Sequence, residues 1–464
     1  MKIKITKNDF YLIGIHVLIG IVAVVFPLLI SIIIVSAVLF YVLSYASRDE
    51  SKLNALIFIS YLTALETLYR ATGVSFLPYE TSKYLQVGLI LVNLLFTRSK
   101  LKSYVGIVII LLLFPSSILF PSDTYSSFVF STLGMVVLGL FTSFTAYQKI
   151  AFADFVKISK AFLLPCISFI TLITIKTPKL SEIEFTLRAN SETTGGFGSN
   201  QVATLLSAGI CLIIILIDKK EYIGNRMITL GLMIYFFLRT FLSFSRGGVV
   251  GLFLSIFLSY ALYKKVKRSV LVKFGFGMVL LVTIFVITNN ITGGKLLLRY
   301  EGETAGTLAG SKKKDIKTIS SGRTDYASVD LYIWLDNPLF GVGPGHSQFI
   351  RYKYGMFTEG AAHSEATRLL AENGIFGLFI NFILLLWPVY IIYKTRNRDI
   401  KFIKTMLFAF AYATTFHSAM RTGISPLFYA LASMNLTFEN LEKKNKIAEQ
   451  QSNNLAAPGL PMLS

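Results

Sequence analysis

Apolar runs of roughly 16 to 21 residues recur from one end of the chain to the other, separated by short polar connections. Runs of that length cross a hydrocarbon core as helices, because lipid offers the backbone no hydrogen-bond partner and a helix satisfies its own. The candidate spans are 10–26, 27–46, 53–71, 84–97, 103–120, 125–145, 153–175, 200–217, 225–243, 247–263, 270–289, 375–393, 401–418 and 425–438. They predict an all-α integral membrane protein with about 12–14 transmembrane helices. Two polar stretches break the pattern. Residues 176–199 form a loop running into Thr193-Thr194-Gly195-Gly196-Phe197-Gly198-Ser199-Asn200, and residues 290–374 form a long excursion. A connection that long points to function. Its first half, Gly293 to Ser321, is rich in Gly, Thr, Ser and Lys and reads as flexible. In its second half Tyr326, Ala327, Leu331, Trp334 and Leu335 recur at helical spacing, and Asn337-Pro338 stops that helix. Gly341 to Gly345 is a turn cluster, and a second helix begins near Ser364 and runs toward Gly374.

This divides the chain into N-terminal spans (1–175), spans with the polar loop (176–289), a catalytic excursion (290–374), C-terminal spans (375–440) and a disordered tail (441–464). The charged first residues resemble a signal peptide, but no small-residue cleavage site follows, so the first run is read as a retained span.

Composition agrees. The 464 residues are 54% hydrophobic and 15% charged, with a mean hydropathy of +0.63; soluble domains carry about 25% charged residues. A soluble enzyme is excluded. The formal charge of +20 is explained by position. Basic residues collect in alternate connections, at Arg98, Lys100 and Lys102, at Lys219, Lys220 and Arg226, at Lys264, Lys265, Lys267 and Arg268, at Lys394, Arg396, Arg398, Lys401 and Lys404, and at Lys443, Lys444 and Lys446. That asymmetry puts both termini in the cytoplasm and implies no nucleic-acid partner. Cys166 and Cys211 lie inside apolar runs and read as small core residues.

Ionisable residues at membrane depth are costly and mark function. Here they are Glu66, Arg70, Arg239, Arg246, Arg323, His363, Arg368, His417 and Arg421, and most fall on the non-cytoplasmic face. Arg246, in Ser243-Phe244-Ser245-Arg246-Gly247-Gly248, reads as an anion ligand or as a cation snorkelling to the interface. Arg323 begins the amphipathic helix, where anions are attracted; its alternative is a local pair with Asp325. His363 enters the last outer helix, whose dipole disfavours its charged form, as suits a proton acceptor; its alternative is a helix-entry residue without chemistry. Arg188, Arg368, His417 and Arg421 are further cavity candidates; His16 reads as packed within a span and His346 as a rim residue. Asp-x-Asp, Walker and dinucleotide motifs and histidine clusters of metal spacing are missing, so neither cofactor nor metal is expected.

Together these segments resemble the O-antigen ligase and polymerase superfamily of bacterial membrane glycosyltransferases. The resemblance rests on Gly196-Phe197-Gly198-Ser199-Asn200-Gln201-Val202-Ala203, Ser243 to Gly248, Ser321-Gly322-Arg323 leading through Trp334 and Asn337-Pro338-Leu339-Phe340-Gly341-Val342-Gly343, and His363-Ser364 followed by Leu369 to Gly377. It covers about residues 185–390. It implies a GT-C-like protein of the bacterial inner membrane whose site faces the periplasm. The implied reaction passes a glycan from undecaprenyl diphosphate to a sugar hydroxyl of lipid A-core or of a second lipid-linked glycan, without metal and with inversion. It also implies that Arg246 and Arg323 engage the pyrophosphate and that His363 is the base. The chain has His363-Ser364 where the family often has His-Asn, a departure that touches capping at Ser364 and not the histidine. A ligase, a polymerase using the same donor and a glycolipid flippase are the readings carried forward, the first favoured.

Overall fold

The computed structural model describes residues 7–45, 51–96, 101–120, 125–263, 268–320, 322–357, 363–418 and 420–438. The tail expected to be disordered, Ser321 and several of the basic connections lie outside the described residues.

The chain is almost wholly helical. Its first half runs α1 (Lys7–Val25), α2 (Pro27–Tyr45), α3 (Ser51–Ala71), α4 (Thr81–Phe96), α5 (Val105–Leu111), α6 (Phe114–Leu119), α7 (Tyr125–Thr145), α8 (Phe152–Lys176), α9 (Ser199–Asp218) and α10 (Arg226–Leu242). There follow α11 (Arg246–Tyr263), α12 (Arg268–Ile291), α13 (Lys295–Tyr300), α14 (Ala305–Leu308), α15 (Ile316–Ser320), α16 (Arg323–Asp336), α17 (Ser347–Ile350), α18 (Glu365–Lys394), α19 (Arg398–Thr414) and α20 (Ile424–Ser433). Apart from 103–120, each candidate span coincides with a helix, and three helices start on a side-chain cap of the kind the sequence offers. Asn225 accepts from the Ile228 N–H, Asn397 from those of Asp399 and Ile400, and Ser364 from that of Thr367.

Among the described residues, seven helices are long and apolar enough to cross a bilayer: Asn8–Val25, Pro27–Ser44, Tyr125–Thr145, Phe152–Lys176, Ser199–Asp218, Arg246–Tyr263 and Glu365–Lys394. Thr81–Phe96, Val105–Leu119, Gly275–Ile291 and Ile424–Ser433 are shorter apolar helices. The protein is a multi-pass membrane protein. α8 and α9 are largely buried at its centre, with α1 and α3 on α8, and with α10, α11 and α19 on α9.

Three expectations are corrected. The span 103–120 is two short helices, α5 and α6, separated at Leu112-Leu113 just before Pro115. The last span, 425–438, ends early at Ser433, and Asn435–Thr437 instead forms a two-stranded parallel ladder with Lys149–Ala151. The first half of the excursion, read as flexible, folds into α13, α14 and α15; Thr304 and Thr307 close a capping box on α14.

The second half follows its pattern closely. α16 buries Val329 and Ile333 against Ala371 of α18. Beneath them Asp330 accepts from Arg351 Nε at 3.0 Å and Nη2 at 2.8 Å, and from the Thr367 hydroxyl at 3.2 Å. The two glycine-rich motifs meet backbone to backbone. Val342 N–H donates to Ala371 O, Gly343 N–H to Glu372 O and Ile375 N–H to Leu339 O, at 3.0, 3.0 and 3.2 Å. Gly374 makes this possible. It breaks the helical path of α18 with φ 58° and ψ −133°, and a Cβ there would lie 2.5 Å from the Leu339 carbonyl. These glycines serve packing between segments.

Candidate active site

One end of the bundle gathers the N-termini of α9, α11 and α18, the α19–α20 turn and the excursion. The short Ser243–Ser245 turn between α10 and α11 brings Arg246 to this end, where its Nη1 donates to the Arg299 carbonyl at 3.0 Å. Arg299 stands at the end of α13. Arg323, the first residue of α16, donates from Nη2 to Asn200 Oδ1 at 3.4 Å, and Ser245 Oγ donates to the same oxygen at 2.7 Å. Asn200 therefore ties the excursion to the arginine turn. Asp325 pairs instead with Lys317 at 3.3 Å, so the local Arg323–Asp325 pair does not form.

The three guanidinium groups lie close enough to oppose one another. Burial first, then Arg246 and Arg323, draws Arg299 down to about 10. Burial, then Arg246 and Arg421, draws Arg323 to about 10. Both stay charged near neutral pH. Among the described residues no carboxylate pairs with Arg299 or Arg323, and Arg299 Nε is buried without a hydrogen bond. Like charges held together, with Arg299 and Arg323 unpaired by a carboxylate among the described residues, form a preorganised anion site.

Two histidines border the arginines. His363 sits one residue before the Ser364 cap, edge-on to the Tyr326 ring of α16 with centroids 5.9 Å apart. Tyr326 also lies under Arg351, 5.0 Å from the guanidinium carbon, so the buried Asp330–Arg351 pair braces the ring that His363 rests on. Burial, then Arg421 and Arg323, lowers His363 to about 4, while a contact with the His417 backbone opposes the shift. The imidazole is neutral at pH 7 and free to accept a proton. His417, in the turn after α19, bonds through Nε2 to Thr204 Oγ1 at 3.0 Å. Its ring packs against Gly247, where a Cβ would come within 2.4 Å of it, so the first glycine after Arg246 makes room for this side chain. Burial, then Arg323 and His363, lowers His417 to about 3.

Below the arginines an apolar groove of about 520 Å³ opens on the lipid-facing side. Phe241 of α10, Val250, Phe253 and Phe257 of α11, and Leu281 and Phe285 of α12 line it, and Tyr300 closes its upper end beside Arg299. Tyr300 packs edge-on against Phe241 and Phe285. Its hydroxyl is buried without a hydrogen bond among the described residues, and burial keeps it a neutral donor.

A cationic cluster at the head of a lipid-facing groove, with a neutral imidazole at its edge, is suited to a lipid-linked anion and a proton transfer. Residues 231–382 match the family model described as O-antigen ligase. Over that segment the chain is similar to the O-antigen ligase family. No curated protein matches the chain. Arg246, Arg299, Arg323 and His363 fall within the matched segment, and His417 and Arg421 lie beyond it.

The other sequence candidates separate. Arg421 borders the site in the α19–α20 turn, with its backbone carbonyl held by Arg70 Nη1 at 2.7 Å. Arg70 belongs to a buried chain of charges, Glu66–Arg70–Glu80–Lys83, and Glu66 also accepts from the Gly423 N–H at 2.7 Å. Arg368 is held between Glu365 and Glu372, which neutralise it, and so fixes the start of α18. Arg188 is exposed, two residues before Asn190, whose N–H donates to Ser243 O. His16 is packed within α1, bonded to Leu12 O and the Tyr61 hydroxyl. Arg299 and Tyr300 were missed because the excursion's basic residues were discounted as loop charges. The available signal was a third arginine directly after a span ending on the same face as Arg246.

Proposed function

We propose that the protein transfers an undecaprenyl-diphosphate-linked glycan to a sugar hydroxyl of lipid A-core at the periplasmic face of the bacterial inner membrane, with inversion and without a metal. The observation that carries this reading is the junction of an apolar groove with Arg246, Arg299 and Arg323, beside neutral His363. The polyprenyl chain would occupy the groove and the diphosphate would meet the guanidinium groups and the Tyr300 hydroxyl. The acceptor oxygen attacks the anomeric carbon from the face opposite the diphosphate. As that bond forms, His363 takes the hydroxyl proton and the anomeric carbon–oxygen bond to the diphosphate breaks. The charge that collects on the leaving diphosphate is stabilised by fixed cations, a role metals fill elsewhere.

The test is transfer by purified protein in liposomes supplied with the lipid-linked glycan, with and without lipid A-core and chelator. The reading predicts glycan on lipid A-core, no loss with chelator, and a loss of about 100-fold or more in His363→Ala with donor binding retained. Chain growth without lipid A-core would make the protein a polymerase. Glycolipid movement between leaflets without transfer would make it a flippase.

A further inference from the structure

We infer that α16 is an interfacial helix whose exposed face rests in the bilayer, although it belongs to the excursion outside the spans. Its buried side carries Val329, Asp330 and Ile333, while Leu331, Tyr332 and Leu335 face outward, followed by Leu339 and Phe340. Leu335 and Leu339 are 64% and 62% exposed, too much apolar surface at adjacent positions to leave in water without a partner.

Depth identifies that partner as lipid. From Ile375 to Lys394, α18 is long enough to span about 30 Å of hydrocarbon, so Ile375 lies at the edge of the core. Ile375 N–H donates to Leu339 O at 3.2 Å, which places Leu339 at that edge. The Phe340 carbonyl accepts from Ser116 Oγ at 2.6 Å, one turn, roughly 6 Å, inward from Phe120 at the end of α6. The Phe340 ring packs on Phe376 at 5.7 Å. Around these contacts the spanning helices expose Phe114 and Ile118 of α6 and Phe379 of α18, so the outward face of α16 continues their lipid-facing surface. At its other end α16 is tied through Arg323 to Asn200, at the outer end of α9. A helix of about 21 Å fixed at both ends to span termini lies along the membrane plane. An amphipathic helix so placed sinks its apolar face about 5–10 Å into the headgroup–acyl boundary.

The experiment places a nitroxide at Leu335→Cys, at Leu339→Cys and, as a water-exposed reference, at Lys313→Cys, in protein reconstituted into phosphatidylethanolamine–phosphatidylglycerol liposomes. The unsubstituted protein, with Cys166 and Cys211 buried, sets the labelling background. Collision with dissolved oxygen should exceed collision with a water-soluble nickel chelate at 335 and 339, and the order should reverse at 313. Nickel accessibility at 335 and 339 equal to that at 313 would overturn the inference. So would spin–spin broadening that shows a second copy covering the face. If the labelled variants do not fold, Trp334 reports instead in a Trp387→Phe background. Brominated lipid should quench its fluorescence, and unchanged fluorescence would contradict the assignment.

Discussion

At the scale of single residues, the proposed site concentrates positive charge, and no carboxylate among the described residues pairs with Arg299 or Arg323. Burial, and then the same charge, makes His363 a weak base until an anion arrives. Its folded value near 4, below the ordinary 6.5, leaves it neutral at pH 7. An anion seated among Arg323, Arg421 and Arg299 cancels the repulsion felt by the imidazolium, so the His363 value must rise on binding. Imidazole resonances followed by NMR, with only four histidines to assign, should show the His363 titration moving up when inorganic pyrophosphate is added. An unmoved titration would separate His363 from the anion site. The sign for stability follows from the same shift. Between about 4 and 6.5 the unfolded chain binds the proton and the folded chain does not, so this group's contribution falls as pH drops through that window. Arg299, hidden from sequence reasoning, carries its own expectation. Removing one charged contact of roughly 1.5–3 kcal/mol in Arg299→Ala should weaken binding of a polyprenyl diphosphate about 10- to 100-fold, read by titration in nanodiscs. Arg368→Ala, which lies outside the diphosphate contacts, should act on stability first.

At the scale of elements, the excursion is held by a backbone staple between residues 339–343 and 371–375, and the staple turns on Gly374. Gly374→Ala meets both a positive φ and the Leu339 carbonyl. It should cost about 2 kcal/mol or more, seen as faster proteolysis within 322–357 while the spanning bundle stays intact. Much of this layer was readable in advance. The α16 spacing, its stop at Asn337-Pro338 and the Ser364 start came from periodicity and caps, which are local signals. What could not be read was long-range. That the glycine motifs pair with each other depends on two segments about 30 residues apart meeting in space. The short helices α13 to α15 carry no apolar period long enough to announce them, and they are set by tertiary contacts such as Ile319 on Gly302. The departure at Ser364 is resolved locally, since its hydroxyl caps α18 by accepting from Thr367 N–H at 3.4 Å.

At the scale of the whole molecule, a helical bundle brings a lipid-facing groove, a set of arginines and a braced imidazole to one end. Hydropathy alone was enough to foresee the bundle, because bilayer thickness dictates the length of each span. The identity of the residues that meet was half legible. Arg246, Arg323 and His363 were visible as charges at span edges, whereas Arg299, Tyr300 and Asn200 join them only through the folded excursion. The groove was invisible because its phenylalanines and valines look like any other lipid-facing residues. The measurement that bears most directly on this arrangement is a cryo-electron microscopy structure of the protein in nanodiscs with undecaprenyl diphosphate. The account predicts diphosphate oxygens within hydrogen-bonding distance of Arg246, Arg299 and Arg323, with the chain along Val250, Phe253 and Phe257. A diphosphate bound elsewhere, or a chain outside the α10–α12 groove, would contradict it.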